Sequence, residues 1–145
     1  MDSDLAQRFI SLYARLDRNS IAEVDALYAA DVVFVDPFHR IAGLATLKNY
    51  LHGQYSAING ARFECQEPTI GAAEAYIRWL LFFAHPQLNS GREIVISGVS
   101  CIRGEEKIVY HEDFYDAGAL LYEHVPLLGA AVRFLKRRMQ QTGDV

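Results

Sequence analysis

Lys107-Ile-Val-Tyr-His-Glu-Asp-Phe-Tyr-Asp116 places titratable side chains inside a run that otherwise reads as a buried strand. A strand sends successive side chains to opposite faces, so Val109, His111, Asp113 and Tyr115 share one face while Ile108, Tyr110, Glu112 and Phe114 share the other. One face thus gathers an imidazole, a carboxylate and a phenol. Burying the first two is unfavourable unless they pair or take part in chemistry, which marks this face as a candidate site. A solvent-facing strand edge accounts for the same residues equally well, because a single strand does not reveal which face is inside. At i and i+2, His111 and Asp113 stand about 7 Å apart, so the expectation is that they flank a ligand and do not form a dyad.

The neighbouring sequence supplies the rest of a sheet. Ala61 to Ile70, Ala73 to His85, Arg92 to Arg103 and Glu105 to Tyr115 are strand-like runs. Gly71, Pro86-Gln-Leu-Asn-Ser-Gly91 and Arg103-Gly104-Glu105 separate them, predicting an antiparallel meander. Upstream, Leu5, Phe9, Leu12, Tyr13 and Leu16 recur at helical spacing from Asp4, with Asp2, Ser3 or Asp4 as the cap. Ser20 and Glu23 form a capping-box pattern that opens a short helix from Ile21 to Tyr28. Asp31 to Asp36 reads as a strand ended by Pro37. After a turn at Gly43, Leu44, Leu47, Tyr50, Leu51 and Tyr55 stripe a third helix. Ala117 to Gln141 is helical in pattern, and Pro126 is expected to kink or split it. The expected fold class is α+β: one domain over residues 1–145, a curved antiparallel sheet covered by N-terminal helices, and an extra C-terminal helix.

Composition narrows the function classes. The 145 residues suffice for a core, and a net charge of −4 argues against general nucleic-acid binding, with Lys136-Arg137-Arg138 the one locally basic run. Cys65 and Cys101 lack the spacing of a zinc site or a disulfide framework, so two reduced thiols and no metal are expected. No apolar run is long enough to span a bilayer, and the N-terminus lacks a signal-peptide pattern, so a cytoplasmic protein without membrane association is expected. The 12% aromatic content fits an aromatic-lined cavity or an aromatic core.

The order of helix, short helix, strand ending in Phe34-Val-Asp-Pro37, Gly-started helix and four long strands resembles the nuclear-transport-factor-two-like superfamily. That superfamily contains the ketosteroid isomerases and the SnoaL-like polyketide cyclases. Tyr28-Ala-Ala-Asp31, Ile77-Arg-Trp79 and Tyr110-His-Glu-Asp-Phe-Tyr-Asp116 resemble its SnoaL-like branch. The resemblance implies a cone cavity with Asp36 at its mouth, where the isomerases keep a proton-shuttling aspartate. It also implies that His111, Asp113 and Tyr115 face the cavity. Gly98 stands where the isomerases place an oxyanion-donating aspartate, which argues against steroid isomerisation, and Tyr13 is an approximate match to their oxyanion tyrosine. No cofactor is implied, and many relatives are homodimers.

These residues define an acid/base site. Desolvation would bring Asp36 toward the range of a general base, making it the first candidate for proton transfer, with Asp113 second. His111 and Tyr115 can donate to a developing enolate oxygen. Tyr13, Trp79, Leu81, Phe83, Gly98 and His39, the last at the entrance, are candidate substrate contacts, although core packing explains Trp79, Leu81 and Phe83 as readily. Arg78 can bind an anion or pair with a carboxylate on the outer face. Two readings follow: a cofactor-independent enzyme acting on a small hydrophobic carbonyl compound, or a non-catalytic module that binds a ligand or partner in the same cone.

Overall fold

The computed structural model describes residues 1–120 and 128–142. Ser3–Tyr13 forms α1, and the Asp2 carboxylate caps it by accepting the Asp4 amide at 3.0 Å. Leu5, Ala6, Phe9, Leu12 and Tyr13 make its buried stripe. The capping box expected at Ser20 does not form. Its hydroxyl instead donates to the Asp17 carboxylate at 3.1 Å, and Ile21–Ala26 winds as a short 3-10 helix. Tyr28, read from the sequence as part of that helix, opens the first strand.

The strands are β1 (Tyr28–Val35), β2 (Arg40–Ala42), β3 (Asn59–Cys65), β4 (Thr69–Ile70), β5 (Glu74–Ala84), β6 (Ile94–Gly104) and β7 (Ile108–Tyr115). The helix α2 (Leu44–Ala57) lies between β2 and β3, and α3 (Ala117–Leu120) and α4 (Leu128–Thr142) follow β7. They build a curved, unclosed sheet in the order β2-β1-β7-β6-β5-β3, with β4 on β5. The meander β5-β6-β7 is antiparallel, as expected. The sheet as a whole is mixed, because β1 pairs with β7 in parallel. A meander ending at β7 leaves an open edge, and β1 closes it with the long intervening chain as the crossover.

The alternation along β7 also departs from strict parity. Tyr110 opposes Arg103 and Ile108 opposes Gly104, so Val109 is an extra residue in a bulge. Gly104 permits the tight turn: its φ is +154°, and a Cβ there would meet the Lys107 carbonyl oxygen at 2.0 Å. Ile108 is consequently buried beside His111, while Val109, expected on the face of His111, is 46% exposed.

The main core lies between α1, α2 and the sheet, where Leu5, Phe9, Val24, Val32, Leu47, Ile77, Ile102 and Ile108 are fully buried. Each large apolar side chain buried in this way contributes about 1.5–3 kcal/mol. A second apolar group, Trp79, Phe83, Ile94 and Ile96, sits nearer α3, with Ala119 and Tyr115 packed on it. The Lys136 ammonium of α4 binds the Asp116 carboxylate at 2.5 Å. The kink expected at Pro126 lies outside the described residues. Among the described residues, no helix is long and apolar enough to cross a membrane.

Candidate functional site

A cavity of about 260 Å³ opens between α1, α2 and the concave face of the sheet. Its walls are mostly apolar: Phe34, Leu51, Phe63, Trp79, Leu81, Phe83 and Ile96. The polar side chains that line it include Tyr13, Asp36, Tyr50, Tyr55, Asp113 and Tyr115. Trp79, Leu81 and Phe83 reach it because alternate residues of β5 point inward.

A chain of hydrogen bonds runs behind one wall. Tyr13 and Tyr28 join their hydroxyls at 2.7 Å, and the Tyr28 hydroxyl meets His111 Nδ1 at 2.8 Å. His111 Nε2 meets Asp113 Oδ1 at 2.8 Å. With Asp113 ionised and His111 neutral, Nε2–H donates to Asp113, Nδ1 accepts from Tyr28, and the Tyr28 oxygen accepts from Tyr13. Beyond the carboxylate, Trp79 Nε1 donates to Ser100 Oγ at 2.9 Å, and Ser100 donates to Asp113 Oδ1 at 2.5 Å. The expectation that His111 and Asp113 flank a ligand without pairing is therefore overturned. The 7 Å spacing applies to backbone positions, and two side chains leaning toward each other on one face close it.

His111 is 1% exposed and does not line the cavity. Phe9 and Phe34 pack edge-on against its ring, and both of its nitrogens are engaged. It presents Asp113 and has no nitrogen left for a ligand. Asp113 Oδ1 takes both donors, whereas Oδ2 has no hydrogen-bond partner among the described residues.

Asp36, 8% exposed, is also at the cavity wall. Its Oδ1 accepts the Phe38 and His39 amides at 2.8 and 2.7 Å and the His39 ring at 3.1 Å, while Oδ2 accepts the Tyr50 hydroxyl at 2.5 Å. This Asx-type turn is what Asp-Pro-Phe-His encodes: the strand stops at Pro37, and the short carboxylate folds back on the next amides. His39 binds the outer side of Asp36 and is half exposed, so it does not line the cavity as a substrate contact. Gly98 does not line it either. The Trp79 indole lies where its side chain would be, with ring carbons 2.3 Å from an ideal Cβ.

The cavity phenols are held protonated. Burial pushes Tyr13 and Tyr28 far above the ordinary tyrosine value. It does the same to Tyr50, helped by the bond to Asp36, and to Tyr55 and Tyr115, helped by the charges of Asp113 and Asp36 respectively. Burial and the nearby Asp113 move the Cys65 thiol up to about 11. Asp113 acts on every one of these groups, which places its charge at the centre of the site. Among the described residues, no three His, Cys, Asp or Glu side chains gather as metal ligands.

Tyr28, Tyr50, Tyr55 and Ser100 were not singled out as site residues from the sequence. Ser100 carried a readable signal, since it stands among Ile94, Ile96 and Ile102 at the inward positions of β6. Tyr50 and Tyr55 belong to the apolar stripe of α2, where a tyrosine reads as core.

The architecture has close counterparts among solved structures. One is a protein with a ketosteroid isomerase-like fold from Catenulispora acidiphila DSM 44928, solved in complex with trimethylamine: 13% identity, TM-score 0.69, 83% of this chain and 92% of that one. A second is an NTF2-like protein of unknown function from Burkholderia pseudomallei K96243: 16% identity, TM-score 0.71, 83% and 96%. A third, from Shewanella putrefaciens CN-32 and assigned as a SnoaL-like polyketide cyclase, shows 13% identity and TM-score 0.66 over 81% and 90%. At such identities the likeness shows the fold alone. No curated protein matches the chain. The SnoaL-like domain model matches residues 7–111, a span that includes α1 from Gln7 onward, the Asp36 turn, the cavity strand β5 and His111, and by that match this chain belongs to the SnoaL-like domain family of the nuclear-transport-factor-two-like superfamily.

Proposed function

We propose that this protein is a cofactor-independent acid/base enzyme acting on a small hydrophobic carbonyl compound bound in the cavity. The observation that carries the reading is Asp113: a carboxylate fixed at Oδ1 by His111 and Ser100, with Oδ2 given no hydrogen-bond partner by the described residues, at the wall of an apolar cavity. From the sequence, Asp36 is the first candidate for proton transfer. Its two oxygens are already filled by four donor groups, which supports exchanging the roles, with Asp113 moving the proton and Asp36 anchoring Tyr50. Asp113 Oδ2 removes a proton from the carbon beside the carbonyl. The C–H electron pair becomes part of the new C=C bond, the carbonyl pair moves onto oxygen, and Tyr115 donates to that oxygen. In a β,γ-unsaturated substrate, returning the proton from Asp113 to the γ-carbon of the dienolate completes an isomerisation; in a dicarbonyl substrate, attack of the enolate carbon on the second carbonyl, whose oxygen takes the proton back from Asp113, completes an aldol cyclisation.

The test is exchange of α-protons with deuterated water for a panel of small ketones, among them cyclohexanone, acetophenone and 2-tetralone. Wild type should accelerate exchange, Asp113→Asn should lose about 10²–10⁴-fold, and Asp36→Asn should lose less. Equal rates with wild type and Asp113→Asn on every bound ketone would leave the non-catalytic binding module as the reading. For assembly we propose a homodimer through the outer sheet face, where Tyr76, Leu80, Val95 and Phe114 are exposed, in a cytoplasmic protein.

A further inference from the structure

The C-terminal helix α4 turns its apolar side chains away from the domain. Met139, Leu135 and Phe134, at 76%, 60% and 51%, are the three most exposed large apolar side chains among the described residues, and Leu128 beside them is also exposed. Leu128, Leu135 and Met139 recur at i, i+7 and i+11, so they form one stripe along the helix. The helix docks by a different face. Gly129 is buried, Val132 is half-buried, and Lys136 reaches the Asp116 carboxylate, positions that recur at i, i+3 and i+7. Contact with the domain therefore uses this second face and leaves the apolar stripe in water.

Charge says what fits that stripe. Residues 128–142 hold Arg133, Lys136, Arg137 and Arg138 and no acidic residue, a net +4. The whole chain is at −4, so all its other residues together carry −8. Arg138 lies over the Phe134 ring at 5.8 Å, which sets a cation among the exposed apolar groups. An apolar stripe on a helix rich in cations and free of carboxylates suits a layer with apolar chains beneath anionic headgroups.

We propose that α4 binds the surface of an anionic lipid bilayer, with Leu128, Leu135 and Met139 entering below the headgroups and the arginines lying among them. The negative remainder of the chain is repelled by the same surface, which orients the molecule helix-first. Lying on a bilayer requires no spanning run, so the lack of one is compatible with this role.

The experiment sediments the full chain with phosphatidylcholine vesicles, with and without about 30% phosphatidylserine. Wild type should bind the anionic vesicles at least about tenfold more strongly than the neutral ones, and about 0.5 M salt should remove most of the difference. Arg137→Gln with Arg138→Gln should lose about thirtyfold on anionic vesicles, at about fivefold per cation. Leu135→Asp with Met139→Asp should lose at least about tenfold, because the stripe no longer enters the bilayer. All four side chains are exposed, so both variants should melt with wild type and keep its α-proton exchange. No sedimentation of wild type with anionic vesicles, equal binding to neutral ones, or binding that survives Leu135→Asp with Met139→Asp overturns the proposal. If wild type ignores vesicles and that variant alone turns a dimer into a monomer by light scattering, the stripe belongs to a second copy and the proposal is likewise overturned.

Discussion

Raising the pH from 10 to 11 should strip at least about 3 kcal/mol from the stability of this protein. Tyr13, Tyr28 and Tyr55 are 6%, 0% and 9% exposed, and burial is the largest cause holding each phenol above its ordinary value. An unfolded tyrosine titrates near pH 10. The stabilising contribution of each phenol is therefore complete below pH 10 and is lost as pH climbs toward the folded-state value, because only the unfolded chain sheds the proton. Between pH 10 and 11 the unfolded phenol goes from half to about nine-tenths ionised. At 1.36 kcal/mol per proton per pH unit, that integrates to about 1 kcal/mol for each tyrosine. These three give about 3 kcal/mol, a large part of a typical 5–15 kcal/mol stability, and the partly buried Tyr50 and Tyr115, held above their ordinary value by the same cause, add to the loss. Urea unfolding at pH 9, 10 and 11 measures the loss, and absorbance near 295 nm follows tyrosinate directly. Tyr13→Phe, Tyr28→Phe and Tyr55→Phe should each remove about 1 kcal/mol of the loss. Stability unchanged to within half a kcal/mol over this interval, or native tyrosines all titrating near pH 10, would refute the argument.

Other outcomes follow from the same contacts. His111→Ala should cost about 3–5 kcal/mol in urea denaturation, because it opens a cavity and leaves Tyr28 and Asp113 without their partner. Gly98→Ala should lower the melting temperature by several degrees and weaken ketone binding, since the new methyl occupies the place of the Trp79 indole. Replacing Leu80 and Phe114 together by Asp should leave a folded monomer by light scattering where wild type scatters as a dimer; a wild-type monomer at tens of micromolar would remove the assembly proposal.

The sequence made the helices, the turns and the β5-β6-β7 meander readable, because local rules fix them: helical spacing in α1, glycine and proline punctuation between strands, and alternation along β5. It did not reveal the parallel pairing of β1 with β7. That contact joins segments some eighty residues apart, and neither strand names its partner. The bulge at Val109 escaped for a different reason. Strict alternation assumes an unbroken register, and the close approach at Gly104 breaks it. The residue types of the candidate site are readable in the sequence, and the inward direction of Asp113 and Tyr115 only through the family resemblance, because one strand does not reveal its inner face. The pairing of His111 with Asp113 was missed because backbone spacing was taken for side-chain separation. The Tyr50 bond to Asp36 joins a helix face to a strand end, a relation that exists only after folding.

The indole bedded on Gly98 has a consequence for anyone studying this protein in solution. Trp79 is the chain's single tryptophan, it forms part of the cavity wall, and its Nε1–H is two hydrogen bonds from the Asp113 carboxylate through Ser100. Its emission therefore comes from one place and senses two events, a molecule entering the cavity and a proton arriving on Asp113. Stopped-flow fluorescence can time both without a dye or an added label. Ser100→Ala should separate them, muting the response to protonation while keeping the response to occupancy.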